Sequence, residues 1–278
     1  MRLANPRAAR LRQPSHESTL SSMRAGQLAG VMRRWAALAP AAQSATWGSA
    51  RRMIDAATQL GEATKGRVHD LIRQYQGRLG GLGDPLSVEM GWLERSYEPA
   101  YSRWLAWVLR QLGSAEAVWR VLGLEDAPGE ADELRTEAEF PLKSGDRLDI
   151  VVKLGAKERV IVETKLGCAQ EDDLKYQLGR YRNHIDRWHA KGVLIVLDAE
   201  RESYEGFAVR QWADICIRLR RELPDFARRK PLVAAMALAF VGAVEQNLLG
   251  FPSFEAAESP LLYSRVARHL EMCLKGGS

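Results

Sequence analysis

RLDIVVKLGAKERVIVETKLG, residues 147–167, sets three charges, Asp149, Glu163 and Lys165, inside two runs of Val, Ile and Leu. A charge within an apolar strand is costly unless something pairs it, so this stretch constrains the surrounding fold more than any other. The two runs flank Gly155-Ala156-Lys157 and read as an antiparallel hairpin. Facing residues in such a hairpin have a constant sum of numbers. Pairing Leu154 with Glu158 sets Asp149 opposite Glu163, with Cα atoms about 5 Å apart. Strand alternation places Glu163 and Lys165 on one face.

Two carboxylates this close repel unless they share a proton or a cation. With only oxygen ligands and an ammonium two residues away, the natural occupant is a hard divalent ion, Mg²⁺ or Mn²⁺. That set suits metal-assisted hydrolysis of a phosphodiester, in which the ion polarises the phosphoryl group and acidifies a bound water. Lys165 would position that water or stabilise the charge developing on phosphorus. The plain alternative is a Glu and a Lys exposed on an edge strand.

The neighbouring segments fix the class. TEAEFPL, the turn KSGD, RLDIVVKL, the turn GAKE and RVIVETKL predict a three-stranded antiparallel meander. YEPAYSRWLAWVLRQLG predicts a helix beginning near Glu98, with Pro99 in its first turn. Leu174, Leu178, Tyr181, Ile185 and Trp188 recur at helical spacing, and GVLIVLD (192–198) reads as a strand buried on both faces. Helices around 209–223 and 231–249 complete an α/β domain with a mixed sheet of four to five strands flanked by helices. On the helix after the hairpin, Lys175, Arg180, Arg182 and Arg187 are available to contact phosphates, although solvated exposure is the default for such residues. Trp104, Trp107, Trp119, Trp188, Trp212 and Tyr181 read as core, and Cys168 as a small buried residue.

Charge is distributed unevenly. Residues 1–86 hold 13 Lys+Arg against 5 Asp+Glu, whereas the remainder is slightly acidic. A basic extension suits a polyanion such as nucleic acid. MRLANPRAARLRQPS reads as a tail, the following segment to about 79 as helical, and RLGGLGDP (78–85) as a boundary between a basic helical extension (1–86) and the main domain (87–278). The apolar positions Trp35, Met53, Leu60, Val68 and Leu71 also suit packing on the domain, or pairing of two copies or a partner protein. Three scattered cysteines indicate neither a disulfide framework nor a zinc site, and fit a reducing cytoplasm. PLVAAMALAFVGAV (231–244) is too short to span a bilayer and reads as a buried helix, so no membrane partner is expected.

LDIVV, a turn and VIVETK together resemble the core of the PD-(D/E)xK nuclease superfamily, with Asp149 as the motif aspartate and Glu163-Thr164-Lys165 as ExK. EPAYSRWLAWVL (98–109) resembles the first core helix of one branch, and YQLGRYRNHI (176–185) the helix after the ExK strand. The likeness spans about 94–198, and Leu148 stands where the motif name has Pro. It implies a restriction-endonuclease-like core acting on DNA, with Glu98 joining Asp149 and Glu163 at the metal and Lys165 as the catalytic cation. Gln177 would orient a ligand or the water. Glu94, Glu137 and Glu139 are rivals for the place of Glu98, which also suits a helix N-terminus without any site. Restriction, phage defence or repair are the contexts implied by the likeness. The competing expectation is a catalytically silent nucleic-acid-binding or assembly subunit on the same fold.

Overall fold

The computed structural model describes residues 47–80, 82–83, 86, 92–94, 97–125, 133–155, 158–167, 171–199, 201–251 and 260–275. The expectations for the N-terminal tail, the helix before residue 47, Trp35 and Cys168 lie outside these residues, as does the side chain of Met53.

The elements run α1 (Trp47–Arg78), α2 (Glu98–Leu112), α3 (Ala115–Leu122), β1 (Leu134–Pro141), β2 (Arg147–Leu154), β3 (Glu158–Thr164), α4 (Glu171–Trp188), β4 (Lys191–Val196), β5 (Ser203–Tyr204), β6 (Phe207–Gln211), α5 (Trp212–Arg229), α6 (Pro231–Asn247) and α7 (Pro260–Leu274). The protein is thus α/β, with a six-stranded mixed sheet in the order β1-β2-β3-β4-β6-β5. β1 to β3 form the expected antiparallel meander, and β4 and β6 add in parallel. The sheet exceeds the expected four to five strands because Ser203–Gln211 is a hairpin, not the start of a helix.

The β2–β3 ladder has the predicted register, from Leu154↔Glu158 to Ile150↔Val162. Along these strands Ile150, Val152, Val160 and Val162 join Val193 and Ile195 of β4 in one core, with residues of α2, α3, α5 and α6. Val151, Ile161 and Leu194 enter a second core, beneath Leu178 and Tyr181 of α4. The alternation thus buries both sheet faces under helices, as a parallel crossover requires. Gly192 permits the close fit of α4, since a Cβ there would meet Ile185 and Phe207.

α3 begins at Ser114, whose hydroxyl accepts from Ala117 N at 3.1 Å, and α2 ends at Gly113 in the left-handed conformation. α6 is the anticipated apolar helix, buried through Ala234, Ala237, Leu238, Phe240, Val241 and Val244. No helix among the described residues is long and apolar enough to cross a membrane.

The chain divides into two compact units, 1–59 and 60–278. In the first, the described residues are the opening turns of α1, where Ile54 is exposed. In the second, Val68, Leu71 and Ile72 form a third core with Tyr263, Val266 and Leu270 of α7, and Tyr75 and Leu79 enter the core of α2 and α5. The division therefore falls within α1, ahead of the glycine-rich segment that the sequence suggested. Apolar residues at helical spacing from Val68 to Leu79 belong to the main unit; Leu60 is exposed.

Candidate functional site

The end of β3 carries Glu163, Thr164 and Lys165 to the start of α2, where Glu98 is the first helical residue. Lys165 Nζ donates to Glu163 Oε1 at 2.8 Å and to Glu98 Oε1 at 3.1 Å. The other Glu98 oxygen accepts from the backbone N–H of Leu166 at 3.1 Å, so this carboxylate fastens α2 to the strand end. From the opposite sheet face, α4 brings Gln177, whose amide nitrogen donates to Glu163 Oε1 at 2.6 Å. The Tyr181 hydroxyl stands 3.2 Å from that amide and donates to Arg147 O at 2.8 Å.

Asp149 lies one step beyond the last β2–β3 pair. Its Oδ2 accepts from Thr164 N at 2.8 Å and Thr164 Oγ1 at 2.9 Å. A side chain thus takes the strand N–H that a neighbouring carbonyl would otherwise satisfy. Ser102 Oγ sits 2.8 Å from Thr164 Oγ1 and donates to Glu98 O, extending the network into α2.

All five residues that the sequence singled out for catalysis, Glu98, Asp149, Glu163, Lys165 and Gln177, therefore meet in one network. Of the rivals of Glu98, Glu137 pairs with Lys153 and Glu139 with the Arg147 guanidinium, and neither bonds to Lys165, Glu163 or Asp149 among the described residues. Thr164, Ser102 and Tyr181 are the supporting residues that sequence reasoning passed over. The first two lie within the ETK and EPAYS stretches. Tyr181 lies on the apolar seam of α4, and its ring is indeed core.

Glu163 is fully buried. Burial, with the nearby charge of Asp149, drives its carboxyl up to about 8, although Lys165 pulls the other way. Burial also raises Asp149, against the Thr164 hydrogen bonds and Lys165. For Lys165, burial disfavours the ammonium, but the charges and hydrogen bonds of Glu163 and Glu98 outweigh it and raise the pKa. The lysine is therefore held charged beside Glu163 and Glu98.

Among the described residues, no three His, Cys, Asp or Glu side chains are grouped to hold a metal. The Glu98 oxygens accept from Lys165 and Leu166, so this carboxylate is a counter-ion of the lysine. Asp149 and Glu163 differ: among the described residues Asp149 bonds through Oδ2 alone, and the buried Glu163 Oε2 has no donor. Such an orphaned carboxylate oxygen beside a second raised carboxyl fits a hard cation.

The α4 cations are variously engaged. Arg180 binds Asp146 at 2.6 Å, Arg182 stands 3.8 Å from Glu205, and Lys175 is exposed. Compared with known proteins, the chain matches no family model, no curated protein and no solved structure.

Proposed function

We propose that this chain is a divalent-metal-dependent nuclease with a restriction-endonuclease-like core, hydrolysing phosphodiesters in DNA. The observation that carries the reading is the unsatisfied Glu163 Oε2, buried beside Asp149 and reached by Lys165 and Gln177 through its sister oxygen. The order helix, antiparallel meander, helix, parallel strand supports the fold assignment. Restriction, phage defence or repair follow from the family likeness alone.

Asp149 and Glu163 would hold Mg²⁺ or Mn²⁺, which when bound supplies charge to polarise the phosphoryl group and acidify water. The protein's own groups prepare the rest. Thr164 fixes the Asp149 carboxylate through two hydrogen bonds, and Gln177 fixes Glu163. Lys165, kept charged by Glu163 and Glu98, faces the negative charge that develops on a phosphate under attack. Lys175, Arg180 and Arg182 are the α4 cations that would meet the nucleic-acid backbone.

The test is cleavage of labelled duplex and single-stranded DNA, and of RNA, by wild type and Asp149→Asn with Mg²⁺, Mn²⁺ or EDTA. Wild type should cut DNA only with metal, and metal should raise its melting temperature but not that of Asp149→Asn. Binding without cleavage under every metal condition would instead favour a silent nucleic-acid-binding subunit. Undiminished cleavage in EDTA would sink the two-carboxylate mechanism.

A further inference from the structure

A concavity of about 940 Å³ lies where the ends of α1 and α3 meet the middle of α5, and none of its lining residues belongs to the acid network. Its walls carry Arg78, Arg120, Arg218, Arg221 and Arg228 against two acids, Glu222 and Asp225. Those acids are already engaged. Glu222 takes two Arg120 nitrogens at 2.7 and 2.9 Å, and Asp225 is bound by Arg228. Among the described residues the other three arginines have no carboxylate within ion-pair distance. Arg78 and Arg221 donate to backbone carbonyls of Leu274 and Met272 near the end of α7.

Arg218 is the least satisfied. Its Nη1 is buried with no hydrogen-bond partner among the described residues, as is Nε of the neighbouring Arg210. Both guanidiniums cover Gly123, whose φ is 63° and where any Cβ would collide with them. Burial lowers the Arg218 pKa, Asp214 opposes, and the like charges of Arg210 and Arg221 lower it further. Cations gathered around a partly buried one favour an anion that joins them.

We propose that this cleft binds phosphate, an oxyanion bridging Arg78, Arg218 and Arg221, supplied by a nucleic-acid backbone or by a free nucleotide. The guanidinium fork matches phosphate oxygens in pairs. In its nucleic-acid form the inference rests on the nuclease reading and adds a second grip on the same substrate. α5 connects the two places. Its first residue, Trp212, donates its indole N–H to Lys165 O at 3.3 Å. Arg218 and Arg221 follow on the same helix, about 9 and 14 Å further along its axis.

The full chain and an Arg78→Glu/Arg221→Glu double variant are titrated in EDTA, across a salt series, with a fluorescent oligonucleotide, ATP and inorganic phosphate. Both arginines are exposed, so the variant should keep the wild-type melting temperature; Arg78→Gln/Arg221→Gln serves if charge reversal perturbs folding. Oligonucleotide affinity should fall about tenfold or more, and the slope of log K against log salt should flatten by about 0.9 per lost phosphate contact. If ATP and phosphate lose affinity while oligonucleotide binding is unchanged, the site stands and its phosphate is that of a free nucleotide. Equal binding of all probes by wild type and variants overturns the site, as does a wild type that binds none. A wild type that cuts no substrate with Mg²⁺ or Mn²⁺ but keeps arginine-dependent binding refutes the nuclease reading and leaves the cleft standing.

Discussion

Glu163 concentrates the conflict at the site, being a buried carboxyl that shares its surroundings with Asp149. With a folded-state value of about 8 against an ordinary 4.5, the folded protein holds a proton that the unfolded chain releases. Stability of the metal-free protein therefore falls as pH rises through this window. Replacing the group by an amide removes the titration, so Glu163→Gln should flatten the decline in melting temperature between pH 5 and 8, as read by calorimetry. An unchanged slope would mean that Glu163 is not the group responsible. Lys165 makes a complementary prediction. Lys165→Ala should lower cleavage by about 10² or more, the cost of losing one transition-state donor, with oligonucleotide affinity nearly unchanged. Retained turnover in that variant would reduce ETK to a charge pair at a strand end.

Between elements, a buried polar tie joins Arg220 of α5, Glu245 of α6 and His269 of α7. Glu245 accepts from Arg220 Nε and Nη2, each at 2.6 Å, and its Oε1 stands 2.8 Å from His269 Nε2. Burial would raise the Glu245 carboxyl, but Arg220 and His269 outweigh it and hold it down to about 2. A depressed carboxyl contributes stability that is present above its unfolded value, near 4.5, and is lost as pH falls toward 2. Glu245→Gln should destabilise the protein by about 3–5 kcal/mol at neutral pH, because it breaks a buried charge pair, and should weaken the acid dependence; denaturant titration at several pH values measures both. This tie was not legible in the sequence, since Glu245 ends an otherwise apolar run and its partners lie 24 and 25 residues away. The meander was legible, because short loops leave one register that buries both sets of apolar residues. β5 and β6 were obscured by Val209, Trp212, Cys216 and Leu219, whose helical spacing continues backward from α5 into the strand. The available signal was Glu205-Gly206, a two-residue turn with φ of 49° and 84° between Tyr204 and Phe207. Of the site, Asp149, Glu163 and Lys165 could be read from charges in apolar strands. Gln177 and Glu98 needed the family likeness, since nothing in their own helices sets them apart from ordinary boundary residues.

For the molecule as a whole, the division within α1 predicts where the chain tolerates shortening. Removing residues 1–59 should leave a cooperative, folded protein that retains the acid network, because the second unit begins at Leu60. Removing 1–86 also strips Val68, Leu71, Ile72, Tyr75 and Leu79 from two cores, and should yield aggregated or unfolded material. Comparing calorimetric transitions and elution volumes of the two truncations checks this; a stable protein lacking 1–86 would place the boundary at the glycine-rich segment. The same unit contains α5, which runs from Trp212 to Arg221 before it meets Pro224. The interval from the Lys165 carbonyl to the arginine cleft is therefore set by helical rise and not by a loop. A strand gripped at those arginines would reach the carboxylates at one fixed span, so the protein would act as a caliper, cutting at a constant number of nucleotides from the phosphate it holds.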